Sequence, residues 1–153
     1  MKTAQVLILF GFLESVWCSC YFSFDKESKE CAQPYGFKEI EVFEFLNSGY
    51  NSTEAPNVNS FVECLWRKWG FLNDNGEINY KAIKSTKIPI LNIIGFCNDQ
   101  PIASSIYANA FPDAVDLCAN GAPDHVRAET IRSCIYQQYV KRLEAAREEL
   151  RRH

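Results

Sequence analysis

Apolar residues recur every three to four positions along several short segments of the chain, which is the spacing of amphipathic helices. Phe61, Leu65 and Trp69 follow this spacing, and Gly70 weakens or closes the last turn of their helix. Residues 73–80 (NDNGEINY) are typical of a turn, because Asn and Gly tolerate left-handed backbone angles. Another short helix is predicted directly after this turn.

The segments on either side of this region carry the same helical pattern. Upstream, residues 34–51 (PYGFKEIEVFEFLNSGYN) predict a turn and then a helix with Ile40, Phe43 and either Phe45 or Leu46 on its apolar side. Downstream, residues 88–97 (IPILNIIGFC) are strongly apolar, and their proline and helical neighbours favour a buried helix over a strand. The helical pattern therefore extends through the middle of the chain.

The C-terminal third of the chain predicts two more helices. Residues 101–118 start with proline and show helical spacing, and Pro112 is expected to interrupt or kink this helix. A long helix is expected to start near Pro123 and Asp124. Its apolar seam consists of Val126, Ile131, Ile135, Tyr139, Leu143, Ala146 and Leu150. Together these patterns predict an all-α protein.

Length and composition are those of one small globular domain. The chain has 153 residues, which is enough for one domain and too few for two. Its formal net charge is −3, so it has no overall positive field for nucleic acid or for an anionic membrane surface. The aromatic content of 14% indicates a well-filled core or an aromatic-lined cavity.

The first residues have the pattern of a secretory signal peptide. Met1 and Lys2 give a short positive start, and residues 6–13 (VLILFGFL) form an apolar run too short to span a bilayer. Cleavage is predicted after Cys18, with a cut after Cys20 as the alternative. No second long apolar run follows, so we expect a secreted, extracellular protein without membrane insertion.

Secretion changes the meaning of the seven cysteines, because thiols in an oxidising compartment usually pair. A cut after Cys18 leaves six cysteines and a cut after Cys20 leaves five, so pairing favours the earlier site. The two histidines, His125 and His153, lie far from any cysteine cluster, and no C-x-x-C pair occurs. This spacing argues against a zinc site.

Calcium binding and catalysis are not predicted either. Aligned on Gly76, the turn places Phe71 and Ala82 at the first and last ligand positions of an EF-hand loop, where calcium needs oxygen ligands. His125 is the only base that could serve a cysteine nucleophile. We therefore expect no metal, no cofactor and no enzymatic activity.

Residues 61–83 (FVECLWRKWGFLNDNGEINYKAI) resemble the helix that carries the third cysteine in insect odorant-binding proteins, together with the Asn- and Asp-rich turn that follows it. In this resemblance Cys31 and Cys64 correspond to the first and third cysteines of the family. Cys97 and Cys118 correspond to the fourth and sixth. The similarity runs from Cys31 to Cys118, which is most of the mature chain.

The second and fifth cysteines of that family are absent from this chain. Ser60 and Asn109 stand at their positions, and in the family those two cysteines bond to each other. Two branches of the superfamily lack the second cysteine: the two-bridge odorant-binding proteins and the D-seven salivary proteins of blood-feeding flies. The extension beyond Cys118, which carries Cys134, is closer to the D-seven branch.

The resemblance implies a compact all-α bundle of about six to eight short helices around a hydrophobic cavity, stapled by disulfides. The implied pairs are Cys31–Cys64, Cys97–Cys118 and, if Cys20 survives cleavage, Cys20–Cys134. The expected organisation is a signal peptide over residues 1–18 and a single odorant-binding-protein-like domain over residues 19–153. A C-terminal helical extension is expected from about residue 123 of this chain.

The expected function is to carry or scavenge a small hydrophobic ligand: an odorant, pheromone, fatty acid or eicosanoid. The alternatives are a salivary scavenger of biogenic amines and a protein-binding inhibitor of host haemostasis, with a homodimer or a host protein as further partners. Amine-binding members have a histidine where this chain has Phe61, which favours an apolar ligand. The residues expected to line the pocket are Phe43, Phe61, Leu65, Trp66, Trp69, Ile94, Tyr107 and Phe111.

We predict that the protein secreted from insect cells begins at Ser19. Cleavage after Cys18 places Val16 and Cys18 at the two positions where signal peptidase requires small side chains. The intact mass and the N-terminal peptide, both measured by mass spectrometry, identify the cut. A chain that begins at Tyr21 would show that the alternative site is used.

Overall fold

A computed structural model describes residues 22–48, 56–96, 108–123 and 125–152 of the chain. These residues form α-helices and no strand, which confirms the predicted all-α fold. The helices are α1 (Lys26–Ala32), α2 (Glu39–Asn47), α3 (Pro56–Lys68), α4 (Tyr80–Lys84), α5 (Ile90–Ile94), α6 (Ala110–Ala119) and α7 (Ala128–Arg152). A 3₁₀ turn at Gln33–Tyr35 follows α1.

The first disulfide joins α1 to α3. Cys31 in α1 bonds to Cys64 in α3, with 5.8 Å between their Cα atoms. Beside this bridge the exposed Lys68 ammonium donates to the Glu30 carboxylate at 2.6 Å and holds the pKa of that carboxyl below its usual range. The predicted pairing of Cys31 with Cys64 is confirmed.

The buried face of α2 differs in part from the predicted one, since Leu46 is buried and Ile40 is not. Val42 and Leu46, four residues apart, are 1% and 2% exposed, whereas Ile40 is 59% exposed. The prediction that Ile40 lies on the apolar side is wrong, because Ile40 is two residues from the buried Val42, and side chains two residues apart on a helix point in nearly opposite directions. Phe43 lies between these faces and is partly buried.

Helix α3 ends as the sequence predicts. Gly70 adopts a φ of +73°, and the Phe71 N–H donates to the Trp66 carbonyl at 2.8 Å. In the turn that follows, the Asn75 side-chain carbonyl accepts from the Glu77 N–H at 3.1 Å. The predicted helix end and the predicted turn are both confirmed.

Helix α5 confirms the helical interpretation of the apolar segment that contains it. Ile93 and Ile94 are buried, and Gly95 ends the helix with a φ of +72°. A Cβ atom at Gly95 would lie 2.5 Å from Leu46 Cβ and 2.8 Å from the Leu46 carbonyl carbon. The end of α5 therefore packs directly on the end of α2, and only glycine fits this contact.

The predicted interruption near Pro112 is confirmed, because the helical backbone breaks at Asn109, a turn residue between the helical Ala108 and the start of α6 at Ala110. Pro112 lies in the first turn of α6, where its missing N–H costs no helical hydrogen bond. The start of the last helix differs from the prediction. Helix α7 begins at Ala128 rather than near Pro123, because His125 has a φ of +61°, which a right-handed helix cannot contain.

The second disulfide joins α6 to α7. Cys118 bonds to Cys134, with 5.9 Å between their Cα atoms. The predicted Cys97–Cys118 and Cys20–Cys134 pairs are therefore wrong. Helices α6 and α7 are joined by a short loop and pack along each other, which brings Cys118 and Cys134 together. Cys20 and Cys97 lie outside the described residues.

Helix α7 is the longest helix of the described residues and supplies a large part of the core. The buried members of its predicted seam are Ile131, Ile135, Tyr139, Leu143 and Ala146. Leu150 continues the seam but is 52% exposed, so the last turns of α7 extend beyond the packed part of the domain. No helix among the described residues combines the length and the apolar character needed to cross a lipid bilayer.

A buried ion pair connects α2 with α7. Glu129 and Arg132 lie one turn apart on α7, and their side chains are 0% and 1% exposed. Nε and Nη2 of Arg132 each donate to one oxygen of the Glu129 carboxylate at 2.6 Å. The remaining nitrogen, Nη1, donates at 3.0 Å to the carbonyl of Leu46 near the end of α2. We call these three residues the α2–α7 clamp.

Removing the second disulfide by Cys118→Ala together with Cys134→Ala should lower the free energy of unfolding by about 3 kcal/mol, because a bridge across 16 residues restricts the unfolded chain. Urea unfolding followed by tryptophan fluorescence measures this loss. Peptide mapping without reduction should return the Cys118 and Cys134 peptides linked. A linked pair of Cys97 and Cys118 peptides would contradict the structure.

Arg132→Met should lower the free energy of unfolding by about 3–5 kcal/mol, because it leaves the Glu129 carboxylate buried without a partner. Adding Glu129→Gln should recover part of the loss, since a neutral amide needs no counter-ion. Urea unfolding measures both variants. As the control, Arg127→Met breaks an exposed pair with Glu63 and should cost at most about 1 kcal/mol. Equal losses in the two arginine variants would contradict the assignment.

Candidate ligand site

Aromatic rings from the N-terminal segment, α2 and α3 form one continuous group. Phe22 lies 5.6 Å from Phe43 between ring centroids, and Phe24 lies 6.3 Å from Phe61. Phe37 meets Phe61 edge-on at 5.9 Å and lies 5.5 Å from Tyr35, so Tyr35 of the 3₁₀ turn joins the same group. We call this set the N-terminal aromatic cluster, and its members are Phe22, Phe24, Tyr35, Phe37, Phe43, Phe45 and Phe61.

A second group, the α7 aromatic cluster, consists of Phe96, Phe111, Tyr136 and Tyr139. Tyr139 meets Phe96 edge-on at 5.6 Å and Phe111 at 6.0 Å, and Phe96 also lies 6.3 Å from Tyr136. Burial raises the pKa of the Tyr139 phenol, while the positive charge of Arg147 acts in the opposite direction. This cluster joins the C-terminal end of α5 and the N-terminal end of α6 to α7. Its surface is apolar except for the hydroxyl groups of Tyr136 and Tyr139.

A third aromatic group closes the C-terminal end of α3. The ring of Phe71 lies 5.8 Å from Trp66 and 5.7 Å from Trp69. Trp66 is 1% exposed, whereas Trp69 is partly buried. Trp69 is therefore the indole of this pair that keeps surface available for contact.

Of the predicted pocket residues, Phe43, Phe61, Trp66, Trp69 and Phe111 belong to these three groups. Five of the predicted residues, Phe61, Leu65, Trp66, Ile94 and Phe111, are buried in the core. Phe43 and Trp69 are partly buried, and Tyr107 lies outside the described residues. The structure thus brings Phe43 and Phe61 into one cluster and places Phe111 in another. Their role as ligand contacts stays a prediction.

Several clustered rings were not selected from the sequence pattern as pocket residues. They are Phe22, Phe24, Phe37, Phe96, Tyr136 and Tyr139. Phe22 and Phe24 precede α1, so no helical spacing marks them, but the Phe-Ser-Phe triplet was a usable signal. Tyr136 and Tyr139 lie one turn apart on α7, which is the spacing of two side chains on one face.

Polar groups are scarce in the described interior. The buried polar side chains are those of Ser28, Asn59, Glu129 and Arg132. Both oxygens of the Glu129 carboxylate are bound to Arg132, so this carboxylate offers no site for a second cation. Within the described ranges, no group of three or more His, Cys, Asp or Glu side chains could hold a metal ion.

An open groove of about 620 Å³ lies at the surface between residues 73–81 and the loop from α6 to α7. Its lining includes the side chains of Ile78, Tyr80 and Val126, and burial raises the pKa of the Tyr80 phenol. Glu77, Lys81 and His125 line the same groove. The groove is therefore open to solvent and of mixed polarity, unlike the aromatic clusters.

Comparison with known proteins gives a family match. Residues 23–138, which are more than half of the chain, match the model of the PBP/GOBP family. No curated protein and no solved structure matched the chain. The matched residues include both described disulfides and helices α1 to α6. The resemblance inferred from the sequence is confirmed at the level of the family, and the branch within it stays a prediction. The chain belongs to the PBP/GOBP family, the family of insect odorant-binding proteins.

Proposed function

We propose that this protein is a secreted carrier or scavenger that binds a small hydrophobic ligand, such as an odorant, pheromone, fatty acid or eicosanoid, against its aromatic clusters. The family match over residues 23–138 carries the proposal, because this is a family of small odorant- and pheromone-binding proteins. The finer choice among these ligands rests on the chemistry of the interior.

The N-terminal aromatic cluster supports an apolar ligand. Its rings stand edge-on or tilted to one another, and apart from the Tyr35 hydroxyl they carry no hydrogen-bonding group. Phe43 is partly buried, so part of its ring remains available for contact. Burial of an apolar ligand against such rings is driven by the removal of apolar surface from water.

The described interior favours an apolar ligand over a biogenic amine. A protonated amine loses its hydration on burial and needs a carboxylate or several acceptors to replace it. Glu129 is the buried carboxylate of the described residues, and Arg132 already neutralises it. Phe61, at the position where amine-binding relatives have a histidine, packs in the N-terminal aromatic cluster and offers no acceptor.

Full-length protein secreted from insect cells should bind the neutral fluorescent probe N-phenyl-1-naphthylamine, because a dry aromatic site raises the emission of such a probe. Straight-chain alcohols and fatty acids should displace the probe, whereas tryptamine, a protonated aromatic amine, should not. Fluorescence titration measures each affinity. Absence of probe binding, or displacement by tryptamine alone, would contradict the proposal.

Phe43 and Ile40, two apolar residues on α2 that differ in burial, provide a matched test of the site. Phe43→Ala should weaken probe binding about tenfold, because it removes one ring of the N-terminal aromatic cluster. Ile40→Ala, one turn earlier and exposed to solvent, should leave the affinity unchanged. An equal loss of affinity in both variants would show that Phe43 does not contact the ligand.

A further inference from the structure

The ends of α2 and α5 meet at a point that α7 holds in place. Arg132 donates to the Leu46 carbonyl at 3.0 Å, and the Tyr136 hydroxyl lies 3.2 Å from the Asn47 side-chain oxygen. Leu46 in turn packs against the backbone of Gly95 at the end of α5. One face of α7 therefore fixes the last turn of α2, and α2 supports α5.

Stability alone does not explain the α2–α7 clamp. Burying two charges has a large desolvation penalty, and apolar residues of similar volume often give equal or greater stability. What the planar guanidinium provides is direction: two parallel bonds to Glu129 fix its plane, and the third bond then fixes the Leu46 carbonyl. Among the described residues, this pair is the buried ion pair.

The two helix ends joined here carry predicted pocket residues. Phe43 lies one turn before Leu46 on α2, and Ile94 directly precedes Gly95 on α5. Phe43 belongs to the N-terminal aromatic cluster, and Phe96, directly after Gly95, belongs to the α7 aromatic cluster. A change in the distance between the ends of α2 and α5 therefore moves Phe43 relative to Phe96, and with them the two clusters.

We propose that Arg132 is a positioning residue of the ligand site, which holds the end of α2 against α5 through the Leu46 carbonyl and so limits the size of the ligand. This inference rests on the proposed function, because it assigns a size limit to the same site. Arg132 itself does not touch the ligand.

The contact at Gly95 gives the effect a direction. A Cβ atom there would lie 2.5 Å from Leu46 Cβ, 2.8 Å from the Leu46 carbonyl carbon and 2.9 Å from the Asn47 nitrogen, so α5 and α2 cannot come closer. Release of the clamp can therefore only increase their separation. Gly95→Ala should increase it as well, because the added methyl group meets backbone atoms that cannot move aside alone.

The test compares a series of straight-chain primary alcohols of increasing length as competitors of N-phenyl-1-naphthylamine, using the full secreted chain. In the Glu129→Gln/Arg132→Met double variant and in Gly95→Ala, the preferred alcohol should become longer than in the unaltered protein. Each additional methylene that the wider site buries should increase affinity about fourfold. Arg132→Lys, which keeps a charge opposite Glu129 but loses the planar fork, should shift the preference in the same direction by a smaller amount.

Arg127→Met is the matched control. It removes an arginine directly before α7 from an exposed ion pair with Glu63, and it should leave the order of affinities for the alcohols unchanged. Loss of structure alone would lower the affinities of all the alcohols by the same factor, and that result would overturn the inference. An unchanged chain-length preference in the Gly95→Ala and Arg132→Lys variants would overturn it as well. If the unaltered protein binds neither probe nor alcohol, the proposed function fails and the size limit fails with it. Binding with an unchanged preference in every variant overturns the size limit alone.

Discussion

Short helices in water are unstable without tertiary contacts, and this constraint governs the whole domain. Helices α1, α2, α4 and α5 have between five and nine residues. Each is fixed to a neighbour by a specific link. A disulfide holds α1 on α3, Arg132 holds α2 on α7, and Gly95 seats α5 on α2. The fully buried Ile83 seats α4 in the core, and the exposed Lys84–Asp116 pair, at 2.7 Å, lies beside it between α4 and α6.

Much of the helical architecture could be predicted, because local signals determine where helices lie and how some of them end. Gly70, the Asn-Gly turn and the apolar segment of α5 all form what their residue types favour. The errors arise where tertiary contacts decide. Ile40 has the same apolar character as Val42, and only the packing of α2 shows which one faces the core. The left-handed backbone of His125 delays the start of α7, and no local rule for histidine requires that conformation.

The disulfides and the candidate site also contain features that the sequence predicts and features that depend on tertiary contacts. The pairing of Cys31 with Cys64 followed from the family resemblance, whereas Cys118 pairs with Cys134 because α6 and α7 lie side by side. Phe43, Phe61 and Trp69 were selected because they lie on predicted helices, whereas Tyr136 on α7 was missed although it also lies on a helix. Phe22 and Phe24 lie on a non-helical segment, so no helical spacing marks them. The Glu129–Arg132 pair resembles any charged pair on a helix surface until the fold buries it. Burial of this pair also changes which ligands the interior favours.

The second disulfide has a consequence for the durability of the domain in fluids that contain proteases. The loop between α6 and α7 exposes Asn120, Gly121, Pro123 and Arg127, and it lies between Cys118 and Cys134 along the chain. A single cut in this loop opens the backbone but leaves the two fragments covalently joined. The long terminal helix then stays seated with its core residues in place. Hydrolysis of this exposed loop therefore breaks one peptide bond without separating the two parts of the domain.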